Sequence, residues 1–166
     1  MTAFGAALAA GWEASGRLCV GIDPHDALLD EWGLPRSAVG VSEFGLRVVE
    51  AAAGRVAVVK PQVAFFERFG SAGFAALEQV IQAARSAGLL VIADAKRGDV
   101  GSTMEGYAEA WLSEGSPLEA DALTLNPYQG VGSLAPAISL AARNGKGLFI
   151  LAATSNPEGT RQQLSR

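Results

Sequence analysis

The chain has 166 residues, of which 49% are hydrophobic, and its formal net charge is -4. This composition predicts a globular protein that buries a sizeable core, and it argues against a disordered chain. The acidic balance, without a run of Lys or Arg, argues against nucleic acid or an anionic membrane as a partner.

Targeting and redox features are sparse. No apolar run reaches the ~18 residues that a membrane span needs, and the N-terminal stretch MTAFGAALAAGWEASG lacks the basic segment of a secretory signal. Cys19 is the single cysteine, and within RLCVGI we expect it to be a small buried side chain. These features together predict a cytoplasmic protein.

Five short apolar runs alternate with longer segments of helical periodicity. Each run is typical of a strand that is buried on both faces, as in a parallel sheet covered by helices. The predicted strands are RLCVGID (17–23), VAVVKPQ (56–62), LLVIADAK (89–96), DALTLNP (121–127) and GLFILAATS (147–155).

Helices are predicted between these strands. One spans 42–53, and another begins at Gly70 or Ser71 and stops at Gly88. A third helix follows the third strand, because apolar residues recur there at helical spacing. The last helix spans 133–144 and ends at Gly145. The apolar stripe of the third helix consists of Met104, Tyr107, Ala108, Trp111 and Leu112.

Polar side chains follow nearly every predicted strand. Polar groups at the carboxyl ends of several strands are typical of the catalytic face of a (β/α)8, or TIM, barrel. A doubly wound open sheet would instead collect them at one switch point, often beside a G-x-G-x-x-G loop, and no such loop follows the first strand. We therefore predict a barrel. The strand-end residues are Asp23, Lys60, Gln62, Asp94, Lys96, Asn126, Thr154 and Ser155.

The number of predicted strands is small for a barrel. A complete barrel needs ~250 residues, whereas five strands are predicted here. We expect a single barrel domain over 1–166 that lacks its C-terminal strands. We also expect the isolated 166-residue chain to lack a closed barrel and to be inactive.

The stretch VIADAKRGDVGST places two acids and two bases directly behind the third strand. Residues two apart on a strand share a face, so Asp94 and Lys96 should point into the barrel mouth, where Lys60 reaches from the next strand. One interpretation is a purely structural ion-pair network, since opposite charges about 4 Å apart attract by roughly 4 kcal/mol at a dielectric near 20. Their position at the catalytic face favours an active site.

The motif DAKRGD fits the pattern D-x-K-x-x-D. Together with GIDPH, VVKPQVAFFE, NPY and AATSNPEG, it resembles the orotidine 5'-phosphate decarboxylases, in particular their longer bacterial branch. The resemblance covers essentially the whole chain. It implies decarboxylation of orotidine 5'-phosphate to uridine 5'-phosphate, a step of pyrimidine biosynthesis, without a cofactor or metal.

The resemblance implies a catalytic quartet of alternating charges, namely Lys60, Asp94, Lys96 and Asp99. Lys96 would donate a proton to C6 of the pyrimidine. Loss of CO2 leaves an electron pair at C6 with no adjacent carbonyl to accept it. A preorganised ammonium, held by carboxylates, would stabilise that charge electrostatically.

Substrate contacts and assembly are implied in the same way. Asp23 and Lys60 would bind ribose hydroxyls, and Ser155 would contact the pyrimidine edge. Asp99, with Thr103, would reach the active site of a neighbouring subunit in a homodimer.

Two other functions remain possible from the residues. Keto-sugar-phosphate decarboxylases and aldolases with the same D-x-K-x-x-D frame use Mg²⁺ to stabilise an enediolate. They need an acid just ahead of the strand-two lysine, and AVVKPQ has none. The other alternative is a non-catalytic barrel subunit, against which the intact charge quartet argues.

Several neighbouring residues have interpretations that need no catalytic role. His25 is expected in a loop near the ribose, and Phe65 and Phe66 are expected to pack. Arg97 could approach an anion or be a structural charge. Asn126 could hydrogen-bond to the ring or a neighbouring loop, or it could cap the strand end.

Overall fold

Five parallel strands form one sheet in the order in which they occur in the chain. The computed structural model describes residues 4–165, so the predicted domain 1–166 extends past both ends of that range. The strand order β1-β2-β3-β4-β5 never reverses, which excludes a doubly wound sheet and matches a barrel. The strands are β1 (Cys19–Ile22), β2 (Val58–Pro61), β3 (Leu90–Arg97), β4 (Ala122–Leu125) and β5 (Gly147–Ile150).

All five predicted strands are present, but β5 is shorter than predicted. It was expected over 147–155, and it ends at Ile150. Its neighbour β4 ends at Leu125, and Leu151 N–H donates the last hydrogen bond between them to the Leu125 carbonyl. Beyond that bond, residues 151–155 pair with no strand among residues 4–165, since β4 ends at Leu125.

Most of the helices cover the convex face of the sheet. Ser37 caps α3 by accepting a hydrogen bond from Gly40 N–H at 3.4 Å, so α3 begins before residue 42, its predicted start. Gly145, at φ 65°, ends α7 as predicted. The helices are α1 (Phe4–Ser15), α2 (Asp26–Glu31), α3 (Ala38–Ala52), α4 (Ala64–Glu67), α5 (Gly70–Ser86), α6 (Gly101–Leu112), α7 (Ala135–Asn144) and α8 (Thr160–Gln163).

The two faces of the sheet carry different side chains. Strand residues on the convex face, such as Val59, Val91 and Leu123, pack with the helices in the main core. On the concave face, a smaller apolar cluster fills the amino end of the sheet, where Phe4 and Leu8 of α1 cover it. Alternation along the strands then places polar residues at the carboxyl end of the same concave face. This concave cluster consists of Ala57, Val58, Ile92 and Ala122.

The expectation that every strand is buried on both faces is wrong for the two edge strands. Cys19 of β1 is exposed, and the Phe149 side chain of β5 is 42% exposed. Cys19 pairs with Val58 and Phe149 pairs with Thr124, so both lie on the concave face. Each edge strand has only one strand neighbour among residues 4–165, which leaves these side chains uncovered. The helices of this same range include none that is both long and apolar enough to cross a membrane.

Candidate active site

The carboxyl end of the concave face carries a group of polar side chains from three neighbouring strands. We call it the carboxyl-end cluster, and it consists of Lys60, Gln62, Asp94, Lys96 and Thr124. Strand pairing creates it, because β3 lies between β2 and β4 and Gln62 forms a bridge with Asp94. The predicted meeting of Lys60, Asp94 and Lys96 is therefore observed.

Asp94 is the centre of this cluster. Its Oδ2 accepts hydrogen bonds from Lys60 Nζ at 2.9 Å and Gln62 Nε2 at 3.0 Å. Its Oδ1 accepts from Lys96 Nζ at 2.6 Å and Thr124 Oγ1 at 3.0 Å. The carboxylate is buried, whereas the Lys60 and Lys96 side chains are 33% and 44% exposed. Two ammonium groups thus lie between a buried anion and the open mouth of the sheet.

These contacts determine the charge of Asp94. Burial raises the pKa of its carboxyl group, but hydrogen bonds from Lys96 and Lys60, together with the positive charge of Lys60, outweigh burial. The pKa therefore lies below its ordinary value of 3.8. Asp94 is ionised at neutral pH and holds both ammonium groups in place.

Lys96 has an unusual backbone. Its φ is 50°, and it is the one residue other than glycine with a positive φ within residues 4–165. A left-handed conformation costs a residue with a side chain about 1–2 kcal/mol. Such strain persists only where surrounding contacts hold it, and it is concentrated at functional sites. Here the contacts are the hydrogen bonds that the backbone N–H and the side-chain Nζ of Lys96 donate.

The other residues predicted for the site lie apart from this cluster. The Asp99 carboxylate is not part of the cluster. Its Oδ1 accepts a hydrogen bond from Val100 N–H at 2.8 Å, and Asp99 pairs with no cation in the described part of the chain. The Asp23 carboxylate folds back over Gly21 beside β2. Thr103 at the start of α6 and Ser155 after β5 are exposed. The structure brings together three of the seven predicted residues.

The neighbouring residues mostly have structural roles. Arg97 pairs with Glu67 at 3.0 Å and lies 5.6 Å from the Tyr107 ring centre, which makes it a structural charge. Asn126 Oδ1 accepts from Tyr128 N–H at 3.0 Å and so caps the strand end. Phe66 is fully buried, as expected of a packing residue.

Sequence reasoning missed Thr124 as a site residue and noted Gln62 only as a polar strand end. The one available signal for Thr124 was a hydroxyl in the apolar run DALTLNP. Within residues 4–165, no three His, Cys, Asp or Glu side chains lie close enough together to hold a metal ion.

A second ionic group lies at the opposite, amino end of the sheet. We call Arg85, Glu119, Asp121 and Lys146 the amino-end cluster. Glu119 Oε1 accepts from Lys146 Nζ at 2.7 Å and Arg85 Nη2 at 2.8 Å. Its Oε2 accepts from Gly115 N–H at 2.8 Å. Sequence reasoning predicted none of these contacts.

Fold and site together define a class. Parallel strands in sequential order, helices on the convex face and charged side chains at the carboxyl ends of the strands are the features of (β/α)8-barrel proteins. Within that class, the chain belongs to the orotidine 5'-phosphate decarboxylase / HUMPS family, whose model matches residues 16–165.

Individual proteins agree with this assignment. An orotidine 5'-phosphate decarboxylase of Corynebacterium efficiens is 64% identical over 143 residues, which cover 86% of this chain and 51% of that protein. One from Streptomyces coelicolor is 60% identical, covering 96% of this chain and 57% of that protein. The chain thus spans little more than half the length of these relatives.

Solved structures show the same likeness. A crystal structure from Streptomyces avermitilis matches 98% of this chain and 57% of its own, with 57% identity and a TM-score of 0.96. The structure of Leishmania donovani OMP decarboxylase matches 99% of this chain and 59% of its own, with 35% identity and a TM-score of 0.83.

Proposed function

We propose that the protein decarboxylates orotidine 5'-phosphate to uridine 5'-phosphate and CO2. The observation that carries this proposal is the Lys96 ammonium, held 2.6 Å from a buried carboxylate at a strand end, in a chain of this family. The relatives at 64% and 60% identity bear the name of this activity.

The chemistry follows from the charges. The bond between C6 and the substrate carboxyl carbon breaks, CO2 leaves, and the electron pair stays at C6. The Lys96 ammonium stabilises this pair electrostatically and then transfers one proton to C6, which yields the product. Asp94 orients the Lys96 ammonium before the reaction, because it is ionised and accepts a hydrogen bond from Nζ.

Substrate binding would use residues around the cluster. Lys60 of β2 pairs with Asp94, and the Lys60 side chain is 33% exposed. Lys60 can therefore reach a ribose hydroxyl from β2. Asp23 follows β1, whose Gly21 pairs with Lys60. Ser155, exposed after β5, is proposed to contact the pyrimidine edge.

We propose a homodimer in which Asp99 and Thr103 reach the neighbouring active site. An exposed apolar side chain beside Asp99 supports this arrangement, because Val100 is 54% exposed. Asp99 does not contact the carboxyl-end cluster of its own chain, which is expected of a residue that serves a neighbouring active site. A single domain and a cytoplasmic location stay predictions from the sequence.

The test is a turnover assay on the full-length product of the gene, since the isolated 166-residue chain is expected to be inactive. Loss of orotidine 5'-phosphate absorbance and formation of uridine 5'-phosphate are followed in excess chelator for the wild type, Lys96→Ala and Lys146→Ala. We expect turnover that survives chelation and falls by at least about 10³-fold in Lys96→Ala. Lys146→Ala removes a lysine from the amino-end cluster and should retain turnover per folded molecule.

Other results would contradict the proposal. Absence of turnover in the wild type would reject it. Turnover that needs added Mg²⁺ would favour a keto-sugar-phosphate enzyme. An equal loss in Lys96→Ala and Lys146→Ala would assign Lys96 a structural role only.

A further inference from the structure

Thr124 connects both ends of Lys96 to the same carboxylate. Its Oγ1 accepts a hydrogen bond from Lys96 N–H at 2.9 Å and donates its own hydrogen to Asp94 Oδ1 at 3.0 Å. Lys96 Nζ donates to that same Oδ1 at 2.6 Å. The backbone and the ammonium of one residue therefore close a ring through Thr124 and Asp94.

An irregularity in strand pairing makes this ring possible. Ala93 pairs with Leu123 and Arg97 pairs with Leu125, so three residues of β3 lie opposite one residue of β4, which is Thr124. A bulge of this kind leaves backbone groups without their usual ladder partners. Lys96 N–H is such a group, and the Thr124 hydroxyl takes the place of the missing carbonyl.

The same irregularity contains the strained residue. Lys96 has φ 50°, and its N–H bond to Thr124 lies directly at that strained position. Thr124 is itself buried, with 8% of its surface exposed, and the other acceptor near its hydroxyl is the Ala93 carbonyl at 3.5 Å. Strained backbone at a functional site is maintained by contacts of this type.

We propose that Thr124 is a positioning residue that holds Lys96 in its left-handed conformation and so keeps the ammonium on Asp94. This inference rests on the proposed function, in which Lys96 must be placed against C6. Thr124 touches no reacting atom in this scheme and acts through Lys96 and Asp94.

The experiment compares Thr124→Val, which removes the hydroxyl at nearly constant volume, with Thr124→Ser, which keeps it. We expect Thr124→Val to lower kcat for orotidine 5'-phosphate by about 100-fold, the effect of a small misplacement of a reacting group. KM should change little, because the interaction lost is one that matters in the transition state. Thr124→Ser should restore most of kcat.

A matched control removes a hydroxyl elsewhere. Ser116 Oγ donates to the Ala110 carbonyl at 2.6 Å, in the loop before β4 at the amino end of the sheet. Ser116→Ala should lower the thermal midpoint and leave kcat unchanged. An unchanged kcat in Thr124→Val, or a kcat in Thr124→Ser as low as that in Thr124→Val, would overturn the proposal.

A second measurement does not depend on activity. Hydrogen exchange of the Lys96 amide reports directly on its bond to Thr124. We expect faster exchange in Thr124→Val and exchange near the wild-type rate in Thr124→Ser. If the wild type shows no decarboxylation, the proposed function fails, while this exchange pattern still supports the positioning role. Unchanged exchange in Thr124→Val would overturn that role.

Discussion

Two buried carboxylates, Asp94 and Glu119, lie at opposite ends of the same sheet, and each accepts hydrogen bonds from two cationic side chains. The lysines of the two clusters differ in exposure. Lys60 and Lys96 at the carboxyl end are 33% and 44% exposed, whereas Lys146 at the amino end is 10% exposed. At the amino end the exposed cation is the Arg85 guanidinium, at 39%, whereas both ammonium groups are exposed at the carboxyl end.

Exposure and position on the sheet distinguish the ionic groups that serve function from those that stabilise this fold. In the amino-end cluster, the buried Glu119 carboxylate accepts hydrogen bonds from Lys146, Arg85 and Gly115 N–H, so its loss should affect folding. In the open carboxyl-end cluster, the ammonium groups retain an accessible side for substrate. The carboxyl ends of barrel strands are the catalytic face and the amino ends contribute to stability.

The largest expected effect is that of Asp94→Asn on catalysis. The amide keeps the shape of the side chain but removes the negative charge that orients Lys60 and Lys96, so we expect kcat/KM to fall by about 10³-fold. The two ammonium groups can turn to solvent, so stability should fall less than activity. Steady-state kinetics and urea unfolding measure both. If kcat/KM stays within tenfold of the wild-type value, the loss of transition-state stabilisation is no more than about 1.4 kcal/mol. That result would contradict the distinction between a catalytic and a structural cluster.

The matched change at the other end is Glu119→Gln. Lys146 would then be buried with only Asp121, 4.0 Å away, as its acidic partner. We expect the free energy of unfolding to fall by about 3 kcal/mol, with kcat per folded molecule unchanged. Urea unfolding measures the loss, and Glu114→Gln, an exposed acid in the same loop, is the control. A lower kcat in the folded fraction would contradict the assignment.

The two carboxylates should also respond differently to acid. Burial raises the pKa of Glu119, but hydrogen bonds from Lys146, Gly115 N–H and Arg85 outweigh it, so the pKa lies below its ordinary value of 4.5. A lowered folded-state pKa gives stability that is present above 4.5 and is lost as the pH falls through the folded value.

The stability of Glu119→Gln should therefore fall less steeply below pH 4.5 than that of the wild type. For Asp94→Asn, the corresponding window begins below 3.8. Urea unfolding over this acid range measures the slopes. Parallel curves for the wild type and Glu119→Gln would show that the carboxylate has the same pKa in the folded and unfolded states.

The smallest expected effect tests exposure itself. Arg36 pairs with Asp30 and lies 3.7 Å from Asp26, but its side chain is 56% exposed. Solvent screens ion pairs at such positions and they contribute little to stability, so Arg36→Ala should lower the free energy of unfolding far less than Glu119→Gln does. A loss equal to that of Glu119→Gln would show that burial does not govern the strength of these pairs.

Local patterns predicted much of the carboxyl-end cluster. The alternation in Asp94-Ala95-Lys96 directly places both charges on one face, and parallel pairing brings Lys60 beside them. Thr124 was not predictable in this way. Its contact with Lys96 depends on a pairing irregularity between two strands, and no local pattern encodes where that irregularity falls.

The amino-end cluster and α1 were missed for a related reason. Arg85, Glu119 and Lys146 come from three separate segments, and only the packed sheet brings them together. Helix α1 has a weak apolar stripe, and it is held by tertiary contacts with the concave face. Cys19 was predicted to be buried because apolar neighbours surround it in sequence, but its place on an edge strand exposes it.

The position of α1 has a consequence for the order of events during synthesis. Phe4 N–H donates to the Gly145 carbonyl, and the Phe4 ring lies 6.1 Å from that of Phe149. Helix α1 is synthesised before β5, and about 140 residues must follow Phe4 before these contacts can form. Neighbouring strands can pair meanwhile, whereas such distant contacts form late. Until then, the Phe4 and Leu8 side chains of α1 lack the strand surface that covers them in the folded protein.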